Sequence, residues 1–515
     1  MKIYNTMTRA KEEFVPLTPG EVRIYVCGVT VYDLCHIGHA RSAIVFDVIQ
    51  RYLRYKGYTV TFVKNFTDVD DKIILRAQAL GILPLELAER NIVETRRDMA
   101  AIGIQAPDIE PKATDHIPQM IALIEPLIER GFAYAVDGDV YFEVRRFPAY
   151  GKLSKRELDE QLPGARVEID ERKRDPRDFA LWKSAKPDEP SWPSPWGPGR
   201  PGWHIECSAM SMQYLGESFD IHGGGEDLIF PHHECEIAQS EAVTQKPFAR
   251  YWIHNAFVNM GAEKMSKSLG NILTIRELIR RHDPEALRLY LLKTHYRNPV
   301  EWSEEHARAA KTDRESLRAI VAAGEASDPS GTRVFEACGG VNATEAAATR
   351  LVSQISDNLL RENVEQCVQG FQGAMDDDFN TPRALAALFA LGDVLNNRRP
   401  IQGVEAAERD DFISGTEVLL VLARVLGLLE RRGGYTFSVV LEGTMHVSGS
   451  VRLEKLPREL RQRIESLVEE RDRMRTARDW RRADELRKEL EELNVKVEDT
   501  PSGSRWTFIP TDQTE

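Results

Sequence analysis

Three groups of residues in this chain have the types and spacing to do chemistry. The first is Cys35-His36-Ile37-Gly38-His39-Ala40-Arg41, between a strand-like run and a helical pattern. In a parallel sheet the carboxyl end of a strand faces the ligand crevice. The helix that follows presents free N–H groups, which favour phosphate. His36 and His39 can donate hydrogen bonds to phosphate oxygens there, and the bare Gly38 lets a planar base approach. The second group is Lys264-Met265-Ser266-Lys267-Ser268, followed by Leu269-Gly270-Asn271. Two ammonium groups, hydroxyls and a flexible glycine suit charge that develops on a departing pyrophosphate. The third group has the composition of a metal site. Five of the 12 histidines fall between 204 and 254, together with Cys207 and the run Pro231-His232-His233-Glu234-Cys235-Glu236. If 232–240 is helical, His232 and Glu236 share one face. Cys27, ending the first strand, can reach the same crevice. Thiolates, imidazole and carboxylate together suit Zn²⁺. On spacing alone His233, Cys35 and Cys235 compete as ligands.

These groups need a frame. Residues 22–31 form a β-branched, aromatic run that reads as a buried strand. Ala40 to Tyr55 has helical spacing and residues 59–65 form a second strand, which predicts a right-handed βαβ unit and a parallel sheet. Asp70 to Leu80 then reads as helix. From about 111 the pattern changes to an amphipathic helix, Ile117 to Gly131, and a hairpin around Asp137-Gly138. The stretch 187–202, PDEPSWPSPWGPGRPG, is expected to be neither helix nor regular strand. A second α/β pattern resumes at about 203, so a nucleotide-type fold is split by an insertion. Residues 284 to about 430 are mostly helical, and Val418 to Leu429 reads as buried helix. Residues 435–453 break that trend with β-type alternation. Leu460 to Leu493 is long, charged and helical, and 494–509 reads as two short strands.

Composition narrows the partners. The formal charge is −13, from 68 Lys+Arg against 81 Asp+Glu, which argues against non-specific nucleic-acid binding. It leaves room for a local basic face: Arg473, Arg475, Arg478, Arg481 and Arg482 surround Trp480. Arginine beside an aromatic suits stacking on unpaired bases, and Trp506 is a second candidate. The six cysteines are sparse and form no CxxC, so reduced thiols in a cytoplasmic protein are expected. The first residues carry acids and no apolar core, so no signal peptide is read there.

The first two groups, in this order, match the HIGH and KMSKS signatures of class I aminoacyl-tRNA synthetases. With the third group, the chain resembles the cysteinyl-tRNA synthetases along nearly its whole length. Asn65-Phe66-Thr67-Asp68-Val69-Asp70-Asp71-Lys72-Ile73 resembles that family's NxTDxDDKI segment. Trp203 to Met210 and His222 through Glu236 match its most specific stretches. Met375 to Pro382 resembles its helical domain, and Asp479-Trp480 with Ala483-Asp484 its C-terminal domain. The resemblance implies ATP-dependent activation of L-cysteine to cysteinyl-adenylate and transfer to the 3′ end of tRNA(Cys). It implies one Zn²⁺ held by Cys27, Cys207, His232 and Glu236 that binds the substrate thiolate, and ATP accompanied by Mg²⁺. It further implies that His36 and His39 hold phosphate oxygens and that Lys264 and Lys267 stabilise the transition state. Thr67, Trp203 and His222 would line the amino-acid pocket. Gly38, Gly223, Gly224, Gly225, Lys267 and Ser268 would meet the nucleotide. A monomer without membrane association is expected.

The implied fold class is α/β. A split Rossmann-type parallel-sheet catalytic domain (1–110 and 203–250) surrounds a connective insertion (111–202). A KMSKS-bearing region (251–315), a helical bundle (316–430) and a small C-terminal α+β anticodon-binding domain (431–515) follow. The segment 435–453 has no counterpart in the family pattern.

Overall fold

The computed structural model describes residues 1–156, 171–260, 263–264, 273–329, 333–334, 343–400 and 405–430, and beyond them 467, 470, 474, 480–492, 495–500 and 503–508. The chain divides into two compact units, Met1–Glu430 and Arg431–Glu515.

The first unit is organised on four strands: β1 (Glu21–Thr30), β2 (Thr59–Thr67), β3 (Phe219–Gly225) and β4 (Ala249–Asn255). All neighbours are parallel and the order is β4-β3-β1-β2. Helix α1 (Ile37–Tyr55) joins β1 to β2, α2 (Trp203–Leu215) leads into β3, and α3 (Glu234–Thr244) precedes β4. The sheet therefore runs past residue 250, to Asn255 at its edge. From β1 the chain first adds β2 on one side and later β3 on the other. That reversal opens a crevice beyond the carboxyl ends of β1 and β3.

Alternation along β1 sends its side chains into two separate cores. Ile24 and Val26 pack with Ile44, Ile221 and the helical bundle. Tyr25 and Cys27 pack with Ile205, Cys207, Phe219 and Trp252 on the other face. Helix α1 is thus held between sheet and bundle, and even its Asp47, Gln50 and Arg51 are buried.

Between β2 and α2 lie the helices Asp71–Leu80, Pro84–Ala101 and Ile117–Glu129. They are followed by an antiparallel sheet of Ala133–Val136, Asp139–Phe142, Phe179–Ser184 and Gly199–Pro201. The hairpin turn needs positive φ at both central residues, and Asp137 and Gly138 have φ of 50° and 86°. The proline-rich stretch does contribute a strand, contrary to the expectation for 187–202. Gly199–Pro201 lies at the edge of its sheet, where a proline costs no ladder bond.

Helices Glu304–Ser327, Asn358–Asp376, Thr381–Asn396 and Ala406–Val425 build the bundle. Val418 to Leu429 is buried as expected, with the helix ending at Val425. In the second unit, Trp480–Glu492 is helical and Val495–Thr500 pairs antiparallel with Gly503–Phe508. Segment 435–453 lies outside the described residues. Among the described residues no helix is long and apolar enough to cross a membrane.

Candidate functional site

Cys27 is placed by a break in a ladder. β1 pairs with β2 through Val26 and Lys64, then through Val29 and Phe66, so Cys27 and Gly28 together face Asn65. Such a bulge re-aims side chains. It also demands glycine: a Cβ on Gly28 would stand 1.5 Å from the Asn65 carbonyl oxygen. Cys27 lies within the strand at this irregularity rather than at its end. The Asn65 side chain ties the region together. It accepts from the Gly28 N–H at 2.8 Å, lies 3.6 Å from Cys207 Sγ and donates to Thr67 Oγ1 at 3.5 Å. Its motif was visible in the sequence, but this role was not.

Cys207 comes from the first turns of α2. His232 and Glu236 come from the start of α3. The helix begins at Glu234, and His232 sits in a π-type turn that feeds it. The i, i+4 relation still holds, with His232 Nε2 3.1 Å from Glu236 Oε1. Cys27 Sγ lies 3.3 Å from the same oxygen. Cys27, Cys207, His232 and Glu236 are all buried, and their ligand atoms lie within 4.8 Å of one another. A second set, Cys27, His222, His233 and Glu236, meets the same test and shares two members. Cys35 and Cys235 point elsewhere, to Thr95 Oγ1 at 3.5 Å and the Tyr150 hydroxyl at 3.4 Å.

The electrostatics show what this cluster lacks. Burial opposes charge on Glu236, yet His222 and His232 hold its carboxyl well below the usual range. Burial likewise opposes the Cys207 thiolate, but contacts with Cys27 and His232 bring it down to about 6. His232 is raised to about 10 by Glu236 and Cys207 in spite of burial. Burial and the adjacent Cys207 keep Cys27 a thiol. Charge is thus concentrated in the interior on Glu236, Cys207 and His232. Burying such charge is costly unless a cation joins it. The two-thiol set is the softer of the two and fits Zn²⁺ better.

His222 Nε2–H donates to Glu236 Oε2 at 2.9 Å, which places it behind a candidate ligand. Its Nδ1 is buried without a partner, as is His233 Nε2. The ring stacks on Trp252 at 4.5 Å. Trp203 lies against His232, with ring centroids 4.3 Å apart. Thr67 is buried at the end of β2. His222 and Trp203 therefore border the cluster, and Thr67 is joined to it through Asn65. His233 and His254, joined at 2.8 Å, extend the polar network toward Thr6.

The first signature is a helix cap. His36 is the N-cap of α1, its Nδ1 accepting from Gly38 N–H at 3.1 Å, and His39 Nδ1 accepts from His36 N–H at 3.3 Å. A neutral ring whose Nδ1 accepts carries its proton on Nε2. Both rings, stacked 3.8 Å apart, thus present Nε2–H as donor. A Cβ on Gly38 would meet the His36 ring at 3.0 Å, so that glycine also serves the cap. Gly223 has a packing reason as well, since its Cβ would fall 2.2 Å from the Phe46 ring of α1. Gly224 abuts Leu228 and His233, and Gly225 abuts Asp227.

Of the second signature, Lys264 lies in a short strand paired with Asn259. Lys267 and Ser268 lie outside the described residues. The segment returns beside the first signature: Ile37 N–H donates to the Leu273 carbonyl and Ile275 N–H to that of Cys35, each at 3.0 Å. Leu273 and Ile275, downstream of the second signature, thus meet the first in space. In the second unit the helix carrying Trp480 and the strand carrying Trp506 are both described, while Arg473, Arg475 and Arg478 are not.

Comparison with known proteins agrees with this geometry. The model for the tRNA synthetase class I (C) catalytic domain matches residues 13–312. The DALR domain matches 370–430, and the cysteinyl-tRNA ligase anticodon binding domain matches 458–506. A cysteine–tRNA ligase of Geobacter sulfurreducens is 50% identical over 506 residues, covering 98% of this chain and 99% of the relative. Those of Thermodesulfovibrio yellowstonii and Persephonella marina are 48% and 46% identical at the same coverage. Among solved structures, a Mycobacterium tuberculosis methionyl-tRNA synthetase with methionyl-adenylate shares the fold. Its TM-score is 0.52 at 17% identity, covering 79% of this chain and 89% of that one. Matches of this extent settle the family: the chain belongs to the cysteine–tRNA ligases, within the class I aminoacyl-tRNA synthetases.

Proposed function

We propose that this chain activates L-cysteine with ATP and transfers the cysteinyl group to the 3′ end of tRNA(Cys), reading the thiol through Zn²⁺. The observation that carries the reading is the buried set of Cys27, Cys207, His232 and Glu236, whose ligand atoms lie within 4.8 Å of one another. Bound there, Zn²⁺ would favour a soft thiolate and discriminate against the serine hydroxyl. Trp203 and Thr67 bound the space next to it.

The remaining chemistry is positioning. The substrate carboxylate attacks the α-phosphate of ATP in line, releasing pyrophosphate. Such a step needs charge stabilisation and alignment rather than a protein nucleophile. His36 and His39 offer Nε2–H donors to phosphate oxygens at the start of α1. Lys264 and Lys267 neutralise the departing pyrophosphate, and Mg²⁺ accompanies the nucleotide. The aromatic and arginine cluster around Trp480 serves anticodon bases. The family membership of residues 458–506 supports that assignment.

The test is metal content and cysteine-dependent pyrophosphate exchange in the wild type and in Cys207→Ser. Wild-type protein should bind about one zinc and exchange with cysteine but not serine. Cys207→Ser should lose both zinc and exchange. Robust wild-type exchange without zinc would refute the metal role. Trp480→Ala should weaken tRNA charging and leave exchange intact.

A further inference from the structure

Among the described residues, buried acids find partners. Asp68 accepts from Thr114, Glu234 from the backbone of Leu153 and Ser154, and Asp178 from Val144 and Tyr134. Glu206 does not. It is 1% exposed, in the first turn of α2, and neither carboxyl oxygen has a hydrogen-bond partner. Besides burial itself, its acidic neighbours are Cys207, Asp70 and Asp68. The Thr67 hydroxyl faces it as well. Trp203 precedes it by one helical turn and Cys207 follows it directly, so it stands among the residues of the proposed cysteine pocket.

A buried carboxyl without a partner, surrounded by other acids, is expensive unless a cation arrives with the ligand. The substrate of the proposed reaction brings one. With its sulfur held by the metal and its carboxylate directed at ATP, cysteine has a single remaining charged group, the α-ammonium. We infer that Glu206 receives the α-ammonium of the amino-acid substrate, with the Thr67 hydroxyl as its neighbour. This inference rests on the proposed reading of the pocket. Its consequence is that the enzyme selects α-amino thiols over thiols that carry only a carboxylate.

The experiment compares wild type, Glu206→Gln and Glu206→Asp with two probes. One is L-cysteine in pyrophosphate exchange; the other is 3-mercaptopropionate, which keeps the thiol and carboxylate but lacks the amine, as a competitive inhibitor. Glu206→Gln should raise the KM for cysteine about 10- to 100-fold, the range for a charged hydrogen bond. Its kcat should change much less. Metal content and the inhibition constant of 3-mercaptopropionate should stay at wild-type values. Glu206→Asp should show a smaller KM increase with the same selectivity. It answers the question alone if the glutamine variant fails to fold. An unchanged cysteine KM, or equal weakening of cysteine and 3-mercaptopropionate, would overturn the inference. A wild type that shows no cysteine-dependent exchange would instead refute the underlying reading of the pocket.

Discussion

Two clusters of charge are buried in this molecule, and they differ in whether their charges are met. One lies on α1. Asp47 accepts from Arg51 Nε at 2.8 Å, from the Gln105 N–H at 3.0 Å, and from Arg288. Arg51 also reaches Glu430 at 2.5 Å and the Arg424 carbonyl at 3.1 Å, and Arg288 reaches the Leu426 carbonyl at 2.7 Å. Two cations meet two carboxylates, and the network binds the helix of the first signature to the last residues of the bundle. The other cluster holds Cys27, Cys207, His232, Glu236 and, beside them, Glu206. There, among the described residues, His222 Nδ1, His233 Nε2 and both Glu206 oxygens make no hydrogen bond. The closed network is built for stability and the open one for ligands. Partner accounting separates the two where burial alone does not.

The difference can be broken experimentally, beginning where the effect is greatest. Asp47→Asn removes one partner from a closed network and leaves two buried guanidinium groups short of charge. Stability should fall by about 3–5 kcal/mol, read from urea unfolding. Cysteine-dependent exchange per folded molecule should stay near wild type. A loss under about 1 kcal/mol would mean that the network is not the stabilising joint its geometry describes.

In the open cluster the balance should reverse. His222→Gln disturbs the group behind Glu236 and should lower metal affinity or exchange about 10- to 100-fold, the usual reach of an outer partner of a ligand. Its melting temperature should move less than that of Asp47→Asn. Gly223→Ala, one residue along the same strand, tests packing in place of polarity. Its Cβ would fall 2.2 Å from Phe46, and overpacking of this kind costs about 1–3 kcal/mol. A wild-type melting temperature for that variant would show that α1 yields easily.

These contrasts also mark what could be read from the chain itself. The βαβ frame was legible because β1 and β2 are runs of β-branched and aromatic residues and α1 has a clear helical period. The two signatures and the metal set were legible because their residue types are rare in such spacing. The edge strand Gly199–Pro201 was not, because its proline masks the strand pattern, although Gly199 N–H still donates to the Trp192 carbonyl. Two features around Cys27 were also hidden. Its bulge depends on a backbone clash at Gly28 that only the paired strand reveals. The tie of Gly28 and Cys207 to Thr67 runs through Asn65, which looks from the sequence like one more polar residue in a motif. The closed network was the least visible, since it joins Asp47 and Arg51 to Arg288 and Glu430, far apart along the chain. The MDDDFNTP segment is similar. Its Asp378 accepts from the Tyr4 N–H at 2.8 Å and the Tyr296 hydroxyl at 2.7 Å, a joint that no local pattern announces.

The smallest effect is the most specific to the closed network. Burial works against the Asp47 carboxylate, but Arg51 and Arg288 hold its pKa below the ordinary value. In the unfolded chain that group titrates near about 3.9. The unfolded state therefore binds more protons at acid pH, and folding stability falls there. The contribution of Asp47 is fully present above about pH 4 and declines as pH drops toward the folded value, at up to about 1.4 kcal/mol per unit. Asp47→Asn cannot titrate. Between pH 5 and pH 3, by urea unfolding, wild type should lose stability more steeply than the variant, while above pH 5 the two curves should run parallel. Because every other carboxylate is common to both proteins, the difference between the curves isolates this one group. Parallel curves through the acid range would place the folded pKa of Asp47 at its unfolded value and remove the electrostatic basis for the joint.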